Sequence, residues 1–121
     1  MPANNLPKGK LGETLAADFL KRKGYQILLR NFHCRWGEID LIAKFQNILI
    51  FVEVKTRWGT PFGTPEEAVT PWKIRSLVRT AEYFKMLHPT TPAQMQIDVV
   101  AIELNQQGKL LRINHLTNVT G

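Results

Sequence analysis

The sequence predicts an α/β domain, a mixed five-stranded sheet flanked by helices in the order αβββαββ. Three observations carry this expectation. Apolar residues recur at helical spacing near the N-terminus and again after Thr70. The segments around them are short runs rich in Val, Ile, Leu and aromatic residues, bounded by turn residues. The second helix lies between two such runs, which suits a right-handed parallel crossover, whereas the second and third runs are close enough to form a hairpin. A mixed sheet with helices against its faces accommodates all three.

From about Pro7 to Lys23 the chain reads as a helix, with Leu11, Leu15, Ala16, Phe19 and Leu20 as its apolar stripe. Lys21, Arg22 and Lys23 suit the negative end of the helix dipole, and Gly24 is the stop. Glu13 lies at the edge of the stripe, where position alone makes it a surface carboxylate. Tyr25 to Phe32 is the first strand, and Asn31 to Trp36 is a short connection rich in Arg and His. Glu38 to Lys44 and Ile48 to Thr56 are the second and third strands. The third is almost continuously apolar up to Val54 except at Glu53, as expected of a central strand covered on both faces.

Arg57 to Val69 reads as a loop punctuated by Gly59, Pro61, Gly63 and Pro65. Its Arg57, Trp58 and Phe62 suit either a clamp on a nucleic-acid strand or a flap packed on the core. Thr70 is the N-cap and Pro71 the first residue of the second helix. Ile74, Leu77, Val78, Ala81, Phe84 and Leu87 make its buried stripe, with Lys73, Arg75 and Arg79 away from it. Gln96 to Leu104 and Lys109 to Leu116 are the last two strands, joined by a turn at Asn105-Gln106-Gln107-Gly108. Asp98 interrupts an apolar run, either as a hydrogen-bonded structural carboxylate or as a group supporting a site.

A chain of 121 residues suits a single domain, 1–121, with residues 1–6 expected to form a flexible tail. The net charge of +6 and pI near 9.8 form an electrostatic footprint suited to nucleic acid. No apolar run approaches a membrane span, and Met1 to Asn5 lacks the basic and apolar regions of a secretory signal. Cys34 is the only cysteine, which excludes an intramolecular disulfide and fits the cytoplasm. His33, His88 and His115 have no zinc-ligand spacing. Neither a phosphate-binding Gly-rich loop nor a Gly-x-Ser-x-Gly elbow is present.

The chemistry is expected on the hairpin. A two-residue turn at Gln46-Asn47 pairs Phe45 with Ile48, which places Asp40 opposite Glu53 and Glu38 opposite Lys55, all on one face. Opposed residues are about 5 Å apart at Cβ. Two bare carboxylates there repel by roughly 3 kcal/mol at an effective dielectric near 20. A divalent cation would convert that cost into binding. The alternative for Glu-x-Lys on a strand is a solvated face.

Asp40 followed by Glu53-x-Lys55 on the next strand, after a helix carrying Glu13, resembles the PD-(D/E)xK nuclease superfamily. The chain more closely resembles the bacterial YraN (UPF0102) family, predicted endonucleases similar to archaeal Holliday-junction resolvases. The likeness runs from Gly9 to about Val119. It rests chiefly on Gly37-Glu38-Ile39-Asp40-Leu41-Ile42 and Phe51-Val52-Glu53-Val54-Lys55-Thr56-Arg57, supported by Gly12-Glu13, Asn31, Ala68-Val69-Thr70, Lys73 and Asp98-Val99-Val100. His33 and Met95-Gln96-Ile97 stand where the family usually carries more positive charge. The resemblance implies a restriction-endonuclease-like fold and a Mg²⁺-dependent endonuclease, with Mn²⁺ as a substitute ion. Asp40, Glu53, the Val54 carbonyl and Glu13 would be the metal ligands. Lys55 would orient the attacking water or stabilise charge on phosphorus, with Glu38 pairing to Lys55 or Arg35. Arg35, Arg57, Trp58 and Lys73 are expected to contact nucleic acid, DNA first, branched or otherwise structured. No membrane is expected as a partner; a resolvase would act as a homodimer. The alternative is a binding module that keeps the nuclease fold without turnover.

Overall fold

Each strand owes its place to an apolar face and a turn that the local sequence can make. A computed structural model describes residues 8–59 and 63–121, except for the Lys8 side chain. The expected N-terminal tail, with Pro7, Pro61 and Phe62, lies outside the described residues. Helix α1 spans Lys8–Arg22 and is followed by strands β1 (Gln26–Cys34), β2 (Gly37–Phe45) and β3 (Ile48–Trp58). Helix α2 (Pro71–Leu87) and strands β4 (Met95–Leu104) and β5 (Leu110–Leu116) complete the αβββαββ order. The five strands form one sheet in sequence order, β3 at its centre. All neighbours are antiparallel except β3 and β4, which are parallel across the α2 crossover.

The helices cover opposite faces. Leu11, Ala16, Ala17 and Leu20 of α1 pack with Leu41, Ala43, Ile50, Val52, Val100 and Ile102. Leu77, Ala81 and Phe84 of α2 pack with Ile39, Ile42, Leu49, Phe51 and Ile97. Strand β3 thus buries alternate side chains on both faces, as its apolar run requires. None of the described helices is long and apolar enough to cross a membrane.

The β2–β3 turn has the expected register, Phe45 opposite Ile48. Gln46 and Asn47 take φ of 50° and 62°, the mirror-image turn that matches strand twist. Thr70 caps α2 by accepting a hydrogen bond from the Lys73 N–H at 3.2 Å, with Pro71 as first helical residue. The β4–β5 turn is closed by the Asn105 carboxamide oxygen, which accepts from the N–H groups of Gln107 and Lys109 at 2.9 Å each.

Two strand ends, one connection and one helix residue differ from expectation. Strand β1 continues to Cys34, because the β2 ladder extends through His33–Glu38 and Cys34–Gly37 and leaves only Arg35 and Trp36 in the turn. Strand β3 continues to Trp58, because β4 pairs with it through Trp58–Leu104. The connection that follows contains a 3-10 turn, Pro65–Ala68. Leu87 is exposed rather than part of the α2 stripe, since it falls at the last turn beyond the sheet.

Candidate functional site

The site begins where β2 parts from β3. Their ladder pairs residues from Phe45–Ile48 to Leu41–Val52 and stops there. At the next position the Asp40 carboxylate, not a main-chain carbonyl, accepts the Val54 N–H at 2.7 Å. The inward alternation of β2 slips at this point. Ile39 and Ile42 both belong to the α2-side core, whereas Leu41 and Ala43 belong to the α1-side core. Asn31, which the β1 register sets opposite Asp40, has φ of 57°, a left-handed conformation that Asn tolerates. Asp40 is therefore not simply one of four side chains standing on a common face. Its carboxylate turns into the gap between the strands, toward the β3 main chain. The N–H and carbonyl of a strand residue point to the same side, so the Val54 carbonyl is directed into the same gap.

Glu53 is buried on the central strand. Its Oε2 lies 3.6 Å from Lys55 Nζ and 3.7 Å from Lys73 Nζ. Lys73 comes from α2, so the crossover helix brings a second cation to the motif strand. The expected pairing of Glu38 with Lys55 or Arg35 is not formed. Glu38 is exposed and makes no ion pair among the described residues, while Lys55 is drawn to Glu53 two residues away on its own strand. Arg35 instead lies over the Trp36 ring, 4.6 Å from its centre.

Glu13 reaches the same region from α1. Helix and strand approach closely here: a Cβ on Gly12 would sit 1.9 Å from Thr56 Oγ1. Only glycine permits that contact, and it seats the next residue over the sheet. Glu13 Oε1 is buried and has no hydrogen-bond partner among the described residues; Lys10 Nζ lies 3.6 Å away.

These placements explain the electrostatics of Asp40. Burial and then the Glu53 charge push its carboxyl up from 3.8 to about 7; Glu13 and Glu38 add to the rise, and the Val54 N–H opposes it. Among the described residues no group of three or more His, Cys, Asp and Glu side chains is drawn together tightly enough to hold a metal by itself. The donor set nevertheless suits Mg²⁺, which binds through one or two carboxylates and keeps several waters. Two neighbouring carboxylates, a carbonyl directed toward them and a buried carboxylate oxygen with no hydrogen-bond partner among the described residues supply hard oxygen donors only.

The remaining sequence candidates divide. Arg57 is exposed at the end of β3, on the same strand face as Lys55. Trp58 was a candidate for stacking on nucleic acid, but its ring packs against the α1-side core and over Gly108. The alternation of β3 turns it to that face. Asp98 is a fully buried structural carboxylate. It accepts from Tyr25 Oη at 3.1 Å, His115 Nε2 at 2.8 Å, Gln96 Nε2 at 3.0 Å and the Asn118 N–H at 2.9 Å. Burial acts to raise its pKa, but the His115, Asn118 and Gln96 bonds prevail and hold it low. Lys23 Nζ donates to His115 Nδ1 at 2.7 Å, which leaves Nε2 as the donor to Asp98.

Sequence reasoning missed two features. Glu66, in the 3-10 turn, is gripped by both Arg112 guanidinium nitrogens at 2.9 Å and by Asn114 at 2.7 Å, so the connection after β3 is tied to β5. Trp36 and Trp72 come together on the α2 face beside Lys73. Their signal was two exposed-type tryptophans, each next to basic residues.

The family model for UPF0102, described as an uncharacterised protein family, matches residues 12–102. That span includes Glu13, Asp40, Glu53, Lys55 and Lys73. The chain belongs to the UPF0102 family. A UPF0102 protein of Caldicellulosiruptor saccharolyticus is 45% identical over 95% of this chain and 98% of its own length. One from Syntrophomonas wolfei is 48% identical over 94% and 97% respectively. Another, from Caldanaerobacter subterraneus, is 40% identical over 95% of both chains. The family likeness expected from the sequence therefore holds along the chain.

Proposed function

We propose that the protein is a metal-dependent endonuclease that hydrolyses phosphodiester bonds in DNA, with branched or otherwise structured DNA as the substrate class. The observation that carries this reading is the Asp40–Glu53 pair. The Asp40 carboxyl is raised to about 7 by burial and by the charge of the buried Glu53 beside it, a repulsion that a bound divalent cation would convert into binding. Asp40, Glu53, the Val54 carbonyl and Glu13 would hold Mg²⁺ or Mn²⁺. When bound, the ion supplies Lewis acidity to the scissile phosphate and to the attacking water.

The chain's own residues do the rest. Asp40 is fixed by the Val54 N–H, so its free oxygen is oriented in advance. Lys55, held beside Glu53, would orient the attacking water or stabilise the charge that grows on phosphorus. Lys73 adds a second cation from α2 for a backbone phosphate. Arg57 and the overall +6 charge favour the approach of a polyanion. A protein that only bound nucleic acid would gain nothing from clustered carboxylates, which repel phosphate.

The test is cleavage of plasmid, linear duplex and four-way junction with Mg²⁺, Mn²⁺ or EDTA, by wild type, Asp40→Asn and Lys55→Ala. Metal-dependent cleavage lost in both variants is expected, strongest on the junction. Binding without cleavage on every substrate and ion would replace this reading with a non-catalytic module.

A further inference from the structure

We propose that the face formed by the β1–β2 turn and the first turns of α2 is a stacking platform for an unpaired nucleotide of the nucleic-acid substrate. The proposal rests on the endonuclease reading for its place beside a cleavage site, but its binding chemistry stands on separate residues.

Trp72 is 70% exposed, the most exposed of the large hydrophobic side chains among the described residues. It immediately precedes Lys73, whose ammonium reaches Glu53. Trp36 lies across from it, and the two rings with Arg75, Ser76 and Arg79 line a depression of about 330 Å³. Trp36 is held between two guanidinium groups, Arg35 at 4.6 Å and Arg79 at 4.5 Å from the ring centre.

The arrangement is built into the fold. Ser76 Oγ donates to the Trp36 carbonyl at 2.9 Å and pins the turn to α2. Gly37 follows with φ of 144°, and a Cβ there would meet Ser76 Oγ at 2.7 Å. The turn can lie this close to the helix only because position 37 is glycine.

Charge selects the occupant. Arg35, Arg75 and Arg79 converge on the face, against Glu82 at its rim. Trp72, open to solvent and sharing its depression with Arg75 and Arg79, matches a base on its ring with phosphates on the arginines. Bases inside a duplex are stacked on their neighbours, so the platform serves a base that is already unpaired. This gives a preference for overhangs, flaps or junction arms with open bases over blunt duplex.

Fluorescence-anisotropy titrations in EDTA test this with oligothymidylate, a duplex bearing a single-stranded overhang, and a blunt duplex. Trp72→Ala is expected to weaken binding of the first two about ten-fold, the equivalent of one lost base stack, and that of the blunt duplex by about two-fold at most. Trp72→Phe is expected to recover most of the loss. Arg79→Ala is expected to weaken all three and reduce the salt dependence. Equal affinities for wild type and Trp72→Ala on every oligonucleotide would overturn the proposal. So would sedimentation showing that Trp72→Ala converts a dimer to a monomer while DNA binding is unchanged, since the face would then be a contact between copies of the chain. EDTA separates the two readings: these titrations give their result whether or not the protein cleaves DNA.

Discussion

Asp40→Asn is expected to stabilise the metal-free protein. The amide retains the shape of the side chain and an oxygen to accept the Val54 N–H, a 2.7 Å bond in the wild type. It removes the charge that burial and Glu53 oppose. The Asp40 carboxyl is raised from 3.8 to about 7. At about 1.4 kcal/mol per pH unit, holding it ionised in the fold costs up to about 4 kcal/mol. A carboxyl whose folded pKa lies above its unfolded value favours the fold while both states are protonated. That contribution is lost as the pH rises through about 7. The assay is thermal unfolding in EDTA from pH 4 to pH 9. One kcal/mol corresponds to roughly 4 °C for a domain of this size, so the variant is expected to melt up to about 16 °C above wild type at pH 8. The gap should close toward pH 4. Parallel melting curves across that range would refute the account of Asp40 as a partly buried, charge-frustrated carboxylate.

Gly12→Ala is expected to cost about 1–2 kcal/mol in urea denaturation, overpacking against Thr56 outweighing the gain in helix propensity, with partial recovery on adding Thr56→Ala. Glu66→Gln is expected to lower the melting temperature at pH 7. The Arg112 hydrogen bonds hold Glu66 down at about 2 against an ordinary 4.5, so its contribution is complete above pH 4.5 and fades as the pH falls toward 2; wild type and variant melting curves should converge there. Asn47→Gly is expected to stabilise by about 0.5–1 kcal/mol, because glycine adopts the left-handed turn conformation without strain; no change in denaturation midpoint would count against the turn assignment.

The hairpin register was legible because a two-residue turn and a period of two leave little freedom. Once Phe45 opposes Ile48, Asp40 and Glu53 must come near each other. The direction of the Asp40 side chain was not legible, since it depends on where β2 leaves β3 and on the left-handed Asn31 in the neighbouring strand. Glu38 received the wrong partner for a related reason. Counting along strands puts it opposite Lys55, but Lys73 arrives from a helix whose approach is a tertiary fact, and Lys55 settles on Glu53. Trp58 sits beside Arg57 in sequence yet on the other face of the sheet, because β3 continues two residues beyond its expected end at Thr56. The four partners of Asp98 come from the residue before β1, from β4, from β5 and from the segment after β5. Only its need for partners could be read from the chain, not their names. The Trp36–Trp72 face likewise depends on the crossover helix returning over the β1–β2 turn.

The central claim is that Asp40 and Glu53 form a divalent-cation site. Mn²⁺ titration followed by electron paramagnetic resonance tests it most directly, because free Mn²⁺ gives a sharp signal that protein-bound Mn²⁺ loses. Wild type at pH 8 is expected to quench the signal with saturable stoichiometry, and Asp40→Asn and Glu53→Gln to leave it near that of buffer. Identical signals for wild type and both variants would contradict the claim.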